Sequence, residues 1–157
     1  MENLEIKEIA IDNVISSVKL VWETMKEFNQ INDCMKNSEV ARKIFINEVV
    51  EDYLDDKLFL IGAFIDNQVV GVIGSMDNYI NFFFVKKEYQ NKKIGKKLMY
   101  TMLENLKQKY SDTIEVDASN YSINIYKHFG FIDVEEEKLD KEEHLMVYKL
   151  RRDHYGI

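Results

Sequence analysis

Six lysines stand between Lys86 and Lys97, and their setting is that of an anion site. The apolar run Phe82-Phe83-Phe84-Val85 precedes them, and apolar residues at helical spacing follow from Ile94. Between the two, Gln90-Asn91-Lys92-Lys93-Ile94-Gly95 reads as a polar loop entering a helix N-terminus. Free N–H groups of a first helical turn, its positive dipole end and neighbouring lysines together suit a polyphosphate. Six lysines against one glutamate give this segment +5, which leaves −12 for the rest of a chain of net −7. Taken alone the loop is a weak signal, since a lysine-rich first turn is also an ordinary solvated helix start. Four carboxylates could take part in proton transfer: Glu115 and Asp117 on one strand, Glu23 and Glu27 on the first helix. Each by itself reads as a surface charge. Cys34 has no adjacent histidine to activate it, and His128, His144 and His154 are too scattered for a zinc site.

The elements that must position these groups alternate. Glu5–Ile11 reads as a strand closed by Asp12-Asn13, and Val14, Val18, Val21, Trp22, Met25 and Phe28 mark an amphipathic helix. Asn29–Asn37 reads as a polar loop, with Ser38 as N-cap of a second helix through Val40, Ile44, Phe45, Val49 and Tyr53. Three strands follow, Leu58–Ile65, Gln68–Met76 and Tyr79–Val85, joined by turns at Asp66-Asn67 and Asp77-Asn78. A third helix runs from about Lys93 to Tyr110, Thr113–Ala118 alternates as a strand, and Tyr121–Phe129 forms a short helix ending at Gly130. Phe131–Glu135 and Leu145–Leu150 close the chain as strands around an acidic loop. This order predicts an α/β layered fold, a mixed and mostly antiparallel sheet of about seven strands flanked by about four helices.

Length and composition set the frame. A chain of 157 residues suits one domain, residues 1–157, with a core that needs no metal or disulfide. One cysteine excludes an internal disulfide and points to a reducing compartment. The N-terminal residues lack a signal pattern and no apolar run reaches transmembrane length, so a cytoplasmic protein without membrane contacts is expected. The acidic balance disfavours nucleic acid and suits a cationic small molecule.

Phe82-Phe83-Phe84-Val85 through Gln90-Asn91-Lys92-Lys93-Ile94-Gly95-Lys96-Lys97-Leu98 resembles the acetyl-CoA-binding motif of the GCN5-related N-acetyltransferases. That motif is a strand followed by Gln/Arg-x-x-Gly-x-Gly/Ala at the start of a helix. Asp117-Ala118-Ser119-Asn120 and then Tyr126-Lys127-His128-Phe129-Gly130-Phe131 are similar to the later signature of the family. The resemblance covers nearly the whole chain. It implies an acetyl-CoA-dependent N-acetyltransferase that acetylates a primary amine by direct attack on the thioester, without a metal. It further implies that Phe83, Phe84, Val85, Gln90, Asn91, Lys92, Lys93, Ile94, Gly95, Lys96 and Asn120 bind the cofactor, chiefly through backbone groups on the strand. Tyr126 would be the general acid for the departing thiolate, and Glu115 and Asp117 the base candidates. Lys93 stands where the family most often has its first glycine. A lysine calls for an ordinary φ within the first helical turn, and a positive φ would instead lower cofactor affinity. The same fold without catalysis, a CoA-sensing protein, is the alternative. The acceptor is left open among polyamines, amino acids, antibiotics and protein amines, and a homodimer is common among similar proteins.

Overall fold

The computed structural model describes residues 3–28 and 30–150. Its sheet has seven strands: β1 (Leu4–Glu8), β2 (Phe59–Ile65), β3 (Gln68–Met76), β4 (Tyr79–Val85), β5 (Thr113–Ser119), β6 (Ile132–Asp133) and β7 (Glu143–Lys149). They lie in the order β1-β2-β3-β4-β5-β7-β6. Every neighbouring pair is antiparallel except β4 and β5. The helices are α1 (Ile11–Glu27), α2 (Asp33–Lys36), α3 (Glu39–Leu54), α4 (Ile94–Lys109) and α5 (Ile123–His128).

Two cores sandwich the sheet. On one face α4 buries Ile94, Leu98, Met99, Met102, Leu103 and Leu106 against Ile61, Ile73, Ile80, Ile114 and Val116. On the other, Val14, Val18 and Val21 of α1 meet Leu60, Phe64 and Val72, with Ile46 and Val49 of α3 behind them. A fully buried aliphatic side chain contributes about 1.5–3 kcal/mol, so the α4 stripe alone anchors the helix whose N-terminus matters for the site. Within α1, two buried hydroxyls are satisfied locally: Ser17 Oγ donates to Asn13 O at 2.7 Å and Thr24 Oγ1 to Leu20 O at 2.8 Å. Ser38 caps α3, its Oγ accepting from Ala41 N at 3.1 Å. The β2–β3 turn places both Asp66 and Asn67 at positive φ, the geometry a two-residue hairpin requires.

Several boundaries differ from the sequence reading. The first strand ends at Glu8 and α1 begins at Ile11, because Ile9 turns inward to the core and Ala10, without a side-chain cap, is the N-cap. The polar stretch after α1 contains the one-turn helix α2, which makes five helices rather than four. The face of α3 rotates, with Ile46 and Val49 buried and Val40 and Ile44 exposed. It leans on α1 and on Ile9, whose carbonyl accepts from Tyr53 Oη at 2.9 Å. The penultimate strand shrinks to Ile132–Asp133, and β7 starts earlier, at Glu143.

The β6–β7 loop owes its order to ionic hydrogen bonds. His144 Nδ1 lies 2.8 Å from Asp133 Oδ2 and its Nε2 3.0 Å from Lys138 O, both inside the fold. Burial opposes ionisation of Asp133, but His144 and the Glu135 N–H outweigh it and hold the carboxyl below its ordinary range. Glu135 accepts from Leu145 N at 2.8 Å and from Lys141 Nζ at 2.9 Å, and its carboxyl is drawn down from 4.5 to about 2. A lowered folded value stabilises the fold fully above pH 4.5 and loses that contribution as pH falls towards 2. Glu135→Gln should therefore melt lower than the parent at pH 7, and the gap should close as the pH drops through this window. Melting temperatures from pH 7 to 3 test this; a gap independent of pH would refute it.

Candidate active site

The site begins with a fork in the sheet. β4 and β5 pair only at Tyr79–Glu115 and Ile80–Val116. Beyond that, β4 continues to Val85 on β3 and β5 to Ser119 on β7, with no ladder between them. The cause is local. Between Gly74–Phe82 and Ser75–Ile80 the register slips by one, leaving Asn81 as an extra residue that bends β4 just past its last pair with β5. Gly74 makes room for it, since a Cβ there would stand 3.1 Å from Asn81 Oδ1. The closed end is pinned by Asn78, whose Nδ2 donates to Thr113 O at 2.9 Å and whose carbonyl accepts from Glu115 N at 2.8 Å. The open end leaves N–H and C=O groups of both inner strand edges available to an extended ligand.

The lysine loop leaves the open end of β4. A 3-10 turn spans Lys87–Tyr89, and Gln90 ties the loop back, its Nε2 donating to Val85 O at 3.0 Å. Gln90 thus spends its amide on shaping the loop. Ile94 is core, so only its N–H can serve a ligand. No side chain caps α4 and no acid stands in its first turn, whereas α1 carries Asp12 and α3 carries Glu39 at that position. The N–H groups of Ile94, Gly95 and Lys96 thus form a donor set in a field of lysines, and it fits a pyrophosphate. A Cβ on Gly95 would come no nearer than 3.4 Å to Phe83, an ordinary contact.

Lys93 departs from its expected conformation. It lies outside the helix as the N-cap, at φ 66° and ψ 12°. Seven described non-glycine residues have positive φ; six are Asn or Asp, and Lys93 is the exception. A left-handed conformation costs a residue with a Cβ roughly 1–2 kcal/mol, and glycine avoids this cost. Lys93→Gly should raise the melting temperature of the unliganded protein by a few degrees. Melting at or below the parental temperature would show that the loop does not carry this strain.

Tyr126 is placed by a helix stop. Phe129 is the C-cap of α5 and Gly130 follows at φ 104°. The Phe131 N–H donates to Tyr126 O at 3.0 Å and the Gly130 N–H to Lys127 O at 3.0 Å, the two bonds of a Schellman motif. The hydrophobic contact that accompanies such motifs joins Tyr126 and Phe131, whose rings lie 5.6 Å apart. The spacing Tyr-x-x-x-Gly-Phe is therefore the geometry of one cap. It seats the Tyr126 ring 6.2 Å from that of Phe83 on the α4 face of the fork, and burial raises the phenol above its ordinary value.

The opposite face carries the carboxylates. Val116 and Ala118 are buried under α4, so by alternation Glu115 and Asp117 face the other way. Asp117 lies just beyond the last β4–β5 pair, and its Oδ2 accepts from Tyr79 Oη at 2.7 Å. Glu115 belongs to the closed part of the fork, opposite Tyr79. Phe84 also points to the α1 face, so its backbone alone can meet a ligand on the α4 side, while Phe83 and Val85 line that side directly. Asn120 is exposed in the turn after β5. Glu23 is ion-paired with Arg42 at 3.7 Å; with Glu27 it lines a groove of about 580 Å³ between α1, the β2–β3 turn and Lys86 and Glu88 at the start of the lysine loop. The structure thus gathers Phe83, Val85, Tyr126 and Asp117 at the fork and Asn91–Lys96 beyond it, and places Glu23 and Glu27 in the groove beside α1 that reaches Lys86 and Glu88. Sequence reasoning missed Tyr79 and Asn81. A polar residue inside Tyr79-Ile80-Asn81-Phe82-Phe83 was the available signal for the bulge.

A sheet split between parallel strands, with a bare helix N-terminus at its open end, defines the class of acyltransferase-like α/β folds. Residues 24–151 match the acetyltransferase (GNAT) domain, and the chain belongs to that family. Solved structures share the fold. The PaiA N-acetyltransferase of Thermoplasma acidophilum, in complex with coenzyme A, is 20% identical at a TM-score of 0.68, over 94% of this chain and 99% of that one. A GNAT acetyltransferase of Staphylococcus aureus Mu50 is 19% identical at a TM-score of 0.73, with the same coverage. An aminoglycoside 6'-N-acetyltransferase complexed with coenzyme A is 14% identical at 0.70, over 94% and 98%. No curated protein matches the chain in sequence. Among the described residues, no helix is long and apolar enough to cross a membrane, and no group of three or more His, Cys, Asp or Glu side chains could hold a metal.

Proposed function

We propose that the protein transfers an acetyl group from acetyl-CoA to a primary amine. The observation that carries this reading is the fork itself, two unpaired strand edges leading to the uncapped, acid-free N-terminus of α4. The N–H groups of Ile94, Gly95 and Lys96 would hold the pyrophosphate, with Asn91, Lys92 and Lys93 around it. The backbone of Phe83, Phe84 and Val85, with Asn120, would hold the pantetheine arm. A free N–H of β4 would polarise the thioester carbonyl. On the α4 side Tyr126 donates a proton to the departing sulfur, and its raised value keeps the phenol protonated beyond pH 10. On the other side Asp117 receives the amine, being the carboxylate at the open part of the fork. Glu115, in the closed part, is the weaker candidate. The acidic balance of the chain favours a cationic acceptor.

Calorimetric titration with acetyl-CoA, paired with thiol release across an amine panel, tests the reading. Saturable binding with amine-dependent thiol release is the expected result, and no binding would end it. A second reading, a CoA-sensing protein without turnover, draws support from the left-handed Lys93 in the phosphate loop. Binding without thiol release would select it.

A further inference from the structure

We propose that Tyr79 is a positioning residue for amine deprotonation, holding Asp117 at the mouth of the fork with one carboxylate oxygen free for the acceptor. The inference rests on the acetyl-transfer reading above. Tyr79 sits in the last-but-one rung before the strands part, and Asp117 is the first β5 residue past the last rung. The hydroxyl of one reaches the carboxylate of the other at 2.7 Å, a charge-assisted bond that ties the two strands where the ladder stops. Only Oδ2 is engaged. Among the described residues, no hydrogen bond occupies Oδ1 and no lysine, arginine or histidine pairs with Asp117, Glu115 or Glu143. On this face of β5 and β7 the charged side chains beside Asp117 are Glu115 and Glu143, with Leu145 and Val147 between them.

The charged and titratable groups around Tyr79 come from three elements besides its own. Asp117 is on β5, Glu143 on β7 and Tyr126 on α5. Burial first, then the bond to Asp117 and the negative charges of Asp117 and Glu143, raise the Tyr79 phenol above its ordinary value. Tyr79 thus stays a donor throughout the working range and does not compete for the proton of the amine. An unrestrained aspartate on an exposed strand samples several rotamers; this bond selects one. The gain is orientation of the proton acceptor and not added basicity.

The proton inventory closes. A primary ammonium gives one proton to Asp117 Oδ1, which passes it to solvent. The freed nitrogen lone pair forms the C–N bond at the acyl carbon. As the C–S bond breaks, its electron pair leaves with sulfur, which takes a proton from Tyr126. The adduct nitrogen gives its second proton to Asp117 Oδ1 and so to solvent, and solvent returns one to the Tyr126 phenolate. One proton is released per turnover. Asp117 relays the proton to solvent, so its placement governs the rate.

The test compares Tyr79→Phe, Asp117→Asn and the double variant with cadaverine, lysine amide and phenethylamine as probes, following thiol release. Tyr79→Phe should lower kcat about tenfold with the KM for acetyl-CoA and the melting temperature unchanged. Asp117→Asn should lower kcat further, and the double variant should fall no lower than Asp117→Asn alone, because Tyr79 acts only through Asp117. Multiplicative losses in the double variant would overturn the proposal, as would parental kcat for Tyr79→Phe. If Tyr79→Phe melts lower than the parent, Asp117→Asn decides: parental kcat in that variant overturns the role. Absence of thiol release by the parent with every probe would instead overturn the acetyl-transfer reading, and this role with it.

Discussion

Tyr126→Phe is expected to lower kcat roughly 100-fold, the lower end of what a positioned general acid contributes. The affinity for acetyl-CoA should not change. The variant keeps the ring that packs at 5.6 Å from Phe131 and 6.2 Å from Phe83, so the α5 cap and the strand behind it survive. Only the proton donor is lost, and the thiolate must then leave unprotonated or wait for water. Burial of Tyr126 adds a pH signature. A raised folded value means no loss of activity from this group as pH climbs to 10, whereas an exposed tyrosine would start to titrate there. Steady-state thiol release across pH, with calorimetry for binding, checks both. Equal turnover of variant and parent would remove the acid role.

Gly95→Glu should separate binding from folding in opposite directions. The new Cβ makes only ordinary contacts with Phe83 and Val85, and a carboxylate in the first turn of α4 complements a helix end that lacks any acid. Melting temperature should hold or rise, in line with about 0.3–1 kcal/mol for such a charge. Coenzyme A affinity should fall at least about 100-fold. At roughly 5 Å and an effective dielectric of about 20, each unit of phosphate charge meets about 3 kcal/mol of repulsion from the carboxylate. The long side chain also covers the N–H groups that would hold the ligand. Calorimetry and thermal melts on one preparation decide the matter. Undiminished affinity would place the phosphates away from α4.

Local chemistry makes much of this fold legible in the chain itself. Leu98, Met102 and Leu106 at helical spacing specify α4, and the lysines ahead of them mark its bare N-terminus. Asp66-Asn67 specifies a hairpin with both residues at positive φ. Gly130-Phe131 behind Tyr126 specifies a helix stop, because a Schellman cap is written in a handful of consecutive residues. Signals of this kind depend on neighbours in the chain, which is why they can be read from it. The conformation of Lys93 could not be read in the same way. Lysine prefers negative φ, and the loop overrides that preference through the tie from Gln90 to Val85 and the docking of Ile94 in the core.

The fork lay further out of reach. Asn81 hinted at a bulge, but whether β4 then parts from β5 depends on a register with β3 and on a parallel partner more than thirty residues away. The choice among Glu23, Glu27, Glu115 and Asp117 was likewise undecidable from spacing, since all four are plausible surface acids. Folding put Glu23 against Arg42, Glu115 in the closed rung and Asp117 at the opening, joined to a tyrosine that no motif had marked. The family, the lysine loop and the tyrosine cap are each encoded in contiguous residues, and so the chain alone discloses them. Which carboxylate meets the opening, and what holds it there, follows from pairing between distant strands, and no run of neighbouring residues carries those distances.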